Sequence, residues 1–175
     1  MQSVLPLSRY IQCQLASDAD LLAELEQNLQ RPFIQEEMQA FLQTFAEGVN
    51  NEEGLHSVLR SLRKRVLLRV ATRDLAGLAD LAEVMSSMTT FAEIAIGFAS
   101  ERLYAWLTDS ARYGRPKSAD NRAQQMLVIG MGKLGGGELN VSSDVDLIFV
   151  YPEDGETDGR RSISNQDFFV RLGRK

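Results

Sequence analysis

The sequence is poor in cysteine, histidine and proline, with one, one and four of these residues among its 175. A single cysteine excludes an intramolecular disulfide framework, as is usual for proteins of a reducing compartment. His56 has no second histidine or cysteine ligand near it, which excludes the common zinc patterns. These absences favour a cytoplasmic protein without disulfide or zinc staples.

Long apolar runs and an excess of positive charge are also missing. No apolar run approaches the roughly 20 residues that a membrane span needs, and the N-terminus has no basic segment followed by an apolar signal core. The formal net charge of −5 argues against broad nucleic-acid binding, which needs a basic patch. We therefore expect a soluble protein that binds neither membranes nor nucleic acids.

The charges are unevenly distributed along the chain. Residues 1–57 contain nine acidic residues and two basic ones, whereas residues 60–73 contain six basic residues and no acidic one. The ordinary interpretation of such runs is the solvated flank of a helix. The alternative is a surface for an acidic partner or a phosphate.

Residues 1 to about 113 have helical periodicity. Leucines recur at helical spacing over 21–29, and a longer apolar stripe runs over 55–70. The pattern from Leu75 to Met85 predicts a further stretch of helix. Thr90–Glu93 has the pattern of a capping box, which predicts the start of a last helix that runs past Trp106 and is central to the bundle.

The pattern changes after the polar, turn-rich stretch 113–121. The apolar runs 126–130 and 144–151 have the length of buried strands, and 164–174 predicts the first turns of a helix. Two strands and one helix cannot bury a sheet, so we expect the chain to stop inside an α/β region. The prediction is an α+β protein with a helical region, 1–118, and an incomplete α/β region, 119–175.

A glycine-rich turn followed by two aspartates is the most specific feature of the chain. Glycines at 130–137 precede Asp144 and Asp146. Alternate side chains of a strand share a face, so the two carboxylates should project together, with Val145 and Leu147 directed into a core. Adjacent carboxylates repel each other unless a cation lies between them, and Mg²⁺ favours such oxygen ligands together with substrate phosphates. The glycines would let backbone N–H groups approach those phosphates, and the pattern predicts metal-assisted nucleotidyl transfer.

Each candidate residue has a plainer interpretation. The aspartates could be the solvated start of a strand, although acids on a central apolar strand are costly unless they are paired or bind metal. Lys133 could reach a phosphate or be an ordinary surface lysine. Ser142 and Ser143 could be phosphate donors or turn residues.

The glycines also match two other nucleotide-binding motifs in part. Gly130, Gly132 and Gly135 have the spacing of the dinucleotide-binding fingerprint. That fold needs a crossover of about a dozen residues or more between its strands, usually a helix, and the glycine-rich stretch 133–143 is a poor helix former. A P-loop is excluded because its four-residue spacing and the Ser or Thr after the lysine are absent.

Residues 130–152 closely resemble the nucleotidyltransferase motif of the bifunctional glutamine synthetase adenylyltransferase/adenylyl-removing enzyme family. The stretch Glu138–Asp144 resembles the first, N-terminal catalytic half of that family. Leu62–Ala71 and Asp167–Gly173 resemble the segments on either side of the motif. The resemblance thus covers most of the chain and implies a nucleotidyltransferase-type α/β domain.

The resemblance implies a function and a set of site residues. In this family the first half removes adenylyl groups from a tyrosine of glutamine synthetase by phosphorolysis, which releases ADP, and the second half attaches them from ATP. Both halves use Mg²⁺, and a nitrogen-signalling PII protein regulates the balance between the two activities. Asp144 and Asp146 would be the catalytic metal ligands, and Gly135 and Gly136 the phosphate-side glycines.

The family's third carboxylate would lie beyond Lys175, and we therefore expect an N-terminal fragment of a longer enzyme. The alternative from a different class is a non-catalytic regulatory module that docks glutamine synthetase or PII.

Overall fold

The computed structural model describes residues 5–109 and 111–175. A 3-10 turn at Leu5–Leu7 and five helices are followed by a region with two short strands and two further helices, which agrees with the predicted α+β class. The elements are α1 (Arg9–Ala16), α2 (Ala19–Asn28), α3 (Gln35–Phe45), α4 (Glu52–Leu75), α5 (Leu81–Leu107), β1 (Leu127–Gly130), α6 (Gly132–Gly135), β2 (Leu147–Val150) and α7 (Asn165–Gly173). Among the described residues no helix combines the length and the apolar character that a membrane crossing requires.

The boundary between α4 and α5 differs from the sequence prediction. Gly77 adopts a φ of +67° and interrupts the stretch that was predicted to be helical. Asp80 then opens α5, because its carboxylate accepts a hydrogen bond from the backbone N–H of Glu83 at 2.8 Å. The predicted helix start at Thr90–Glu93 is therefore wrong, since these residues lie inside α5.

Helix α5 is central, as its apolar character predicted. It packs against α3, α4 and α7. The main core holds Met38 and Leu42 from α3, Leu62 and Val66 from α4, and Met88 from α5. These five side chains are at most 7% exposed, so the long helices bury their apolar stripes against one another.

The two charge runs of the sequence lie against each other in the fold. Lys64, Arg65 and Arg69 of α4 form ion pairs with acidic residues of α2 and α3 or of their caps. The pairs are Lys64–Asp18 at 3.7 Å, Arg65–Glu24 at 3.0 Å and Arg69–Glu37 at 2.7 Å. Half of the basic run thus pairs with the acidic run, and Arg73 pairs with Glu83 outside it. The exposed Arg60 and Arg63 fit the predicted solvated flank.

Arg73 ties three elements together at the end of α4. Its guanidinium is buried and donates to the two carboxylate oxygens of Glu83 at 2.6 and 2.9 Å. It also donates to the backbone carbonyls of Leu29, at 2.7 Å, and Leu78, at 2.9 Å. The hydrogen bonds to Glu83 raise the pKa of Arg73. The guanidinium therefore stays charged, and its hydrogen bonds are charge-assisted.

Strands β1 and β2 form a two-stranded antiparallel sheet in which Leu127 pairs with Val150 and Gly130 with Leu147. The antiparallel order excludes the parallel crossover unit of dinucleotide-binding folds. The prediction of buried strands is wrong, because Leu127 is 61% exposed, and Ile129 and Ile148 are each 46% exposed. The described helices cover only part of the sheet, and its outer face is in contact with solvent.

The turn-rich stretch after α5 is bound to the segment that precedes α7. The backbone N–H groups of Lys117, Asp158 and Gly159 donate to the carbonyls of Glu156, Arg115 and Tyr113, respectively, at 2.8–3.1 Å. These bonds join residues on both sides of the domain boundary that was predicted after residue 118. The boundary itself stays a prediction. They fix α7 relative to α5, so the strands are attached to the helices from both sides.

Candidate functional site

The glycine loop, residues 130–137, begins where β1 ends. Its glycines allow the backbone and side chains of the loop to pack closely against one another. A Cβ atom on Gly130 would lie 2.7 Å from the Leu134 side chain, and one on Gly135 would lie 2.5 Å from the Gly130 carbonyl oxygen. Gly132 and Gly137 have φ values of +53° and +71°, which favour glycine. The loop is therefore a compact turn that places exposed backbone on the surface beside β1.

The remaining predicted loop residues, Lys133 and Gly136, lie on the surface. Gly136 has only ordinary contacts around it, at 3.5 Å and beyond. Lys133 is exposed, and within 5–109 and 111–175 it forms no ion pair. Its ammonium is thus available to an anion or to solvent, so both predicted interpretations of Lys133 stay predictions.

Two leucines anchor the loop in the helical core. Leu134 is 7% exposed and Leu139 is 2% exposed, and both belong to the cluster formed by α3, α4 and α5. The backbone N–H of Leu139 also donates to the hydroxyl of Thr89 on α5 at 3.4 Å. The glycine loop is therefore held at both ends, and α5 is the element that determines its position.

Ser142 and Ser143 lie in a hydrogen-bonded turn built around Asn140. Both hydroxyls donate to the Asn140 side-chain oxygen, at 3.0 and 2.9 Å. The Ser143 hydroxyl also accepts from the Asn140 backbone N–H at 3.1 Å. Each hydroxyl has a single proton, which is used within the turn here, so this conformation corresponds to the turn interpretation of the two serines.

Asp144 and Asp146 follow this turn and precede β2, which begins only at Leu147. Both aspartates are exposed, and neither carboxylate forms a hydrogen bond or an ion pair with the described residues. The Asp146 carbonyl accepts from the Met131 N–H at 2.9 Å, which places the acidic pair beside the start of the glycine loop. Leu147 packs inward as predicted, whereas Val145 is 40% exposed, contrary to prediction.

The position of the aspartates changes the argument for a metal. Because they are exposed and outside the strand, the desolvation cost that was expected of acids on a central strand does not arise. No group of three or more metal-ligating side chains occurs within the described parts of the chain. Two free carboxylates still suit Mg²⁺, which is commonly held by one or two carboxylates, water and substrate phosphates.

A cleft beside the glycine loop was not predicted from the sequence. It has a volume of about 510 Å³ and lies between α5 and the sheet. Polar side chains from α5 and the segment before β1 line it together with Gly130 and Gly135, namely Glu93, Ser100, Glu101 and Gln125. Their helical spacing on α5 could have indicated a shared face, but no local motif marks it. The acidic pair does not line this cleft.

Tyr104 lies on α5, about one helical turn after Ser100 and Glu101. Its hydroxyl donates to the Gln124 carbonyl at 2.8 Å, which connects α5 to the segment before β1. Burial raises the pKa of Tyr104 above its ordinary value. The group is therefore a neutral donor at physiological pH.

Comparison with known protein families matches residues 1–175 to glutamate-ammonia ligase adenylyltransferase. The chain belongs to this family. The match confirms the resemblance that the glycine–aspartate motif indicated, and it extends over the helical region as well.

Similar adenylyltransferases include two from Nitrosomonas, each named bifunctional glutamine synthetase adenylyltransferase/adenylyl-removing enzyme. The Nitrosomonas europaea protein is 58% identical over 174 residues, which is 99% of this chain and 19% of that protein. The Nitrosomonas eutropha protein is 54% identical over 176 residues, covering 100% of this chain and 19% of that protein. A Shewanella loihica protein of the same name is 36% identical, with 100% and 18% covered. The chain thus spans about a fifth of the length of these relatives.

Proposed function

We propose that this chain is part of a cytoplasmic enzyme that regulates glutamine synthetase by transferring adenylyl groups, and that it carries the start of the adenylyl-removing site. The end-to-end match to proteins named as bifunctional enzymes of this kind supports the proposal most strongly. The substrate would be an adenylylated tyrosine of glutamine synthetase, and phosphorolysis would release ADP. Attachment of the adenylyl group elsewhere in the enzyme would use ATP and release pyrophosphate. A PII protein is the proposed regulatory partner.

The arrangement of this chain's own residues supports the proposed chemistry. Asp144 and Asp146 would hold Mg²⁺, which would supply charge neutralisation at the phosphates and at the departing tyrosyl oxygen. The free ammonium of Lys133 would bind and orient phosphate, since the backbone N–H groups of Gly135 and Gly136 already donate to the Met131 and Gly132 carbonyls at 3.2 and 3.0 Å. These groups position and polarise the reactants without forming a covalent bond to them, which is how most phosphoryl-transfer sites work.

The test is a segment exchange followed by substitution. The present sequence would replace the matching segment of the Nitrosomonas europaea enzyme, and Asp144→Asn with Asp146→Asn would then be introduced. We expect ADP release from adenylylated glutamine synthetase and phosphate to fall by at least about a hundredfold, since metal ligands are removed. Adenylylation from ATP should continue, which also serves as the folding control. Phosphorolysis at an undiminished rate in the double variant would refute the assignment.

A second candidate is a non-catalytic module in which the helical region docks glutamine synthetase or PII. The two candidates differ in metal dependence. Calorimetric titration of the chain with Mg²⁺ and ADP should give heat if the site is a nucleotidyl-transfer site, and none if the chain only docks.

A further inference from the structure

We propose that Asn140 is a positioning residue whose side-chain oxygen fixes the turn from which Asp144 and Asp146 leave the glycine loop. The proposal rests on the proposed metal-binding role of the two aspartates. It adds a residue whose side chain is not itself a ligand, and it assigns Ser142 and Ser143 to the turn.

The hydrogen bonds converge on one atom. The Asn140 side-chain oxygen accepts from the Ser142 N–H at 3.0 Å, from the Ser142 hydroxyl at 3.0 Å and from the Ser143 hydroxyl at 2.9 Å. Two further bonds close the turn through the backbone of residue 140, one from its N–H to the Ser143 hydroxyl and one from the Ser143 N–H to its carbonyl, at 3.1 and 3.2 Å. The three residues Asn140, Ser142 and Ser143 therefore form a single network rather than independent contacts.

The network lies between a rigid anchor and the acidic pair. Leu139, immediately before it, is 2% exposed and is also bonded to Thr89 of α5. Asp144, immediately after it, is exposed and has no hydrogen-bond partner among the described residues. The turn therefore sets the backbone path from Leu139 to Asp144, while the bond from the Met131 N–H to the Asp146 carbonyl holds the acidic pair from its other end.

The Asn140 network also explains the serines chemically. A serine hydroxyl that donates its only proton to Asn140 cannot donate it to a phosphate at the same time. If the serines were phosphate donors, losing Ser143 would harm phosphate binding independently of Asn140. If they are turn residues, the two losses must be coupled.

The experiment measures the binding of Mn²⁺ to this chain by electron paramagnetic resonance. Mn²⁺ is used because it is a paramagnetic probe of Mg²⁺ sites. Asn140→Ala should weaken the Mn²⁺ affinity by about tenfold, which is the usual effect of removing a residue that orients metal ligands. Ser143→Ala should weaken it by a similar factor, and the double variant should be no weaker than Asn140→Ala alone. Asn28→Ala, which removes an amide from α2, should bind Mn²⁺ like the parent.

Two outcomes would overturn the proposal and can be told apart. If the parent and the Asp144→Asn, Asp146→Asn variant bind Mn²⁺ equally, the proposed metal site fails and Asn140 has nothing to position. If the aspartates matter but Asn140→Ala binds like the parent, or if its effect and that of Ser143→Ala multiply, the positioning role alone is wrong. Should Asn140→Ala fail to fold by circular dichroism, Ser142→Ala removes one exposed bond of the network and should give a smaller loss of the same kind.

Discussion

Similar apolar residues are buried on the helices of the helical region and exposed on the two strands of residues 119–175, here called the strand region. Leu62 in α4 is fully buried, whereas Leu127 in β1 is 61% exposed and Ile148 in β2 is 46% exposed. The helices are long enough to cover one another, but two four-residue strands form a sheet with one uncovered face. The helical region therefore supplies most of the core, to which α7 adds Phe168, Phe169 and Leu172, and the two strands depend on this core for support.

This difference shows how the candidate site is held. The sheet contributes little rigidity by itself, because an isolated two-stranded hairpin is marginally stable at best. The glycine loop instead reaches back into the helical core through Leu134 and Leu139. We infer that the helical region positions the candidate site through these two leucines.

The largest effect that tests this comparison is expected from matched substitutions in the two regions. Leu62→Ala should lower the free energy of unfolding by about 3 kcal/mol, because it leaves a cavity in the helical core. Ile129→Thr, on the exposed sheet face, should change it by less than about 0.5 kcal/mol. Urea unfolding at two protein concentrations measures both values. A large, concentration-dependent loss for Ile129→Thr would show that the sheet face is covered in solution and would break the comparison.

The sequence predicted the helices well because their signals are local. Leucines at helical spacing mark α2, and Asp18 caps it by accepting from the Leu21 N–H at 3.0 Å. Ser164 caps α7 in the same way, by accepting from the Asp167 N–H. Periodicity and capping residues lie within one or two turns of each other, so they can be read without knowing the fold.

Two errors were local, namely the missed break at Gly77 and the false helix start at Thr90–Glu93. The others arose where the answer depended on distant residues. Strand burial depends on what covers the sheet, and an apolar run such as 147–150 does not contain that information. The pairing of the two charge runs, and the anchoring of Leu139 against Thr89, join residues far apart in sequence. At the candidate site the motif predicted the candidate residues, but the extent of β2 and the use of the serine hydroxyls depend on the three-dimensional fold.

A smaller effect is expected at the junction between the two regions, where glycine is required for space. Gly114 and Gly77 have similar φ values of +72° and +67°. A Cβ atom at Gly114 would lie 2.2 Å from the Gly159 nitrogen, whereas one at Gly77 would meet nothing within 4 Å. Gly77→Ala should therefore cost about 1 kcal/mol for the left-handed backbone alone, and Gly114→Ala about 2 kcal/mol more for the overlap.

Thermal and urea unfolding of the two glycine variants would measure this difference. Equal losses would mean that segments 112–117 and 156–161 do not approach as closely as the structure shows. In that case the strand region would be attached to the helices more loosely than the comparison requires. A clearly larger loss for Gly114→Ala than for Gly77→Ala would support a tight junction.

The smallest effect concerns the pH dependence of the Tyr104 contact. Since the folded pKa of Tyr104 is raised by burial, the folded state keeps its proton to higher pH than the unfolded state does. The stabilisation is complete below the unfolded pKa of about 10 and is lost as pH rises from there through the folded value. Tyr104→Phe should cost about 1 kcal/mol at pH 8, where it removes the hydrogen bond to Gln124.

Urea unfolding of Tyr104→Phe and the parent at pH 8 and pH 10.5 would test the sign of this dependence. The gap in unfolding free energy should narrow as pH rises, because the parent loses its advantage while the variant has no group to titrate at this position. All other titrating groups are common to both proteins and cancel to first order. A gap that widens would mean that the ionised tyrosine is stabilised in the folded state, and Tyr104 would then be an anionic partner rather than the neutral donor that connects α5 to the segment before β1.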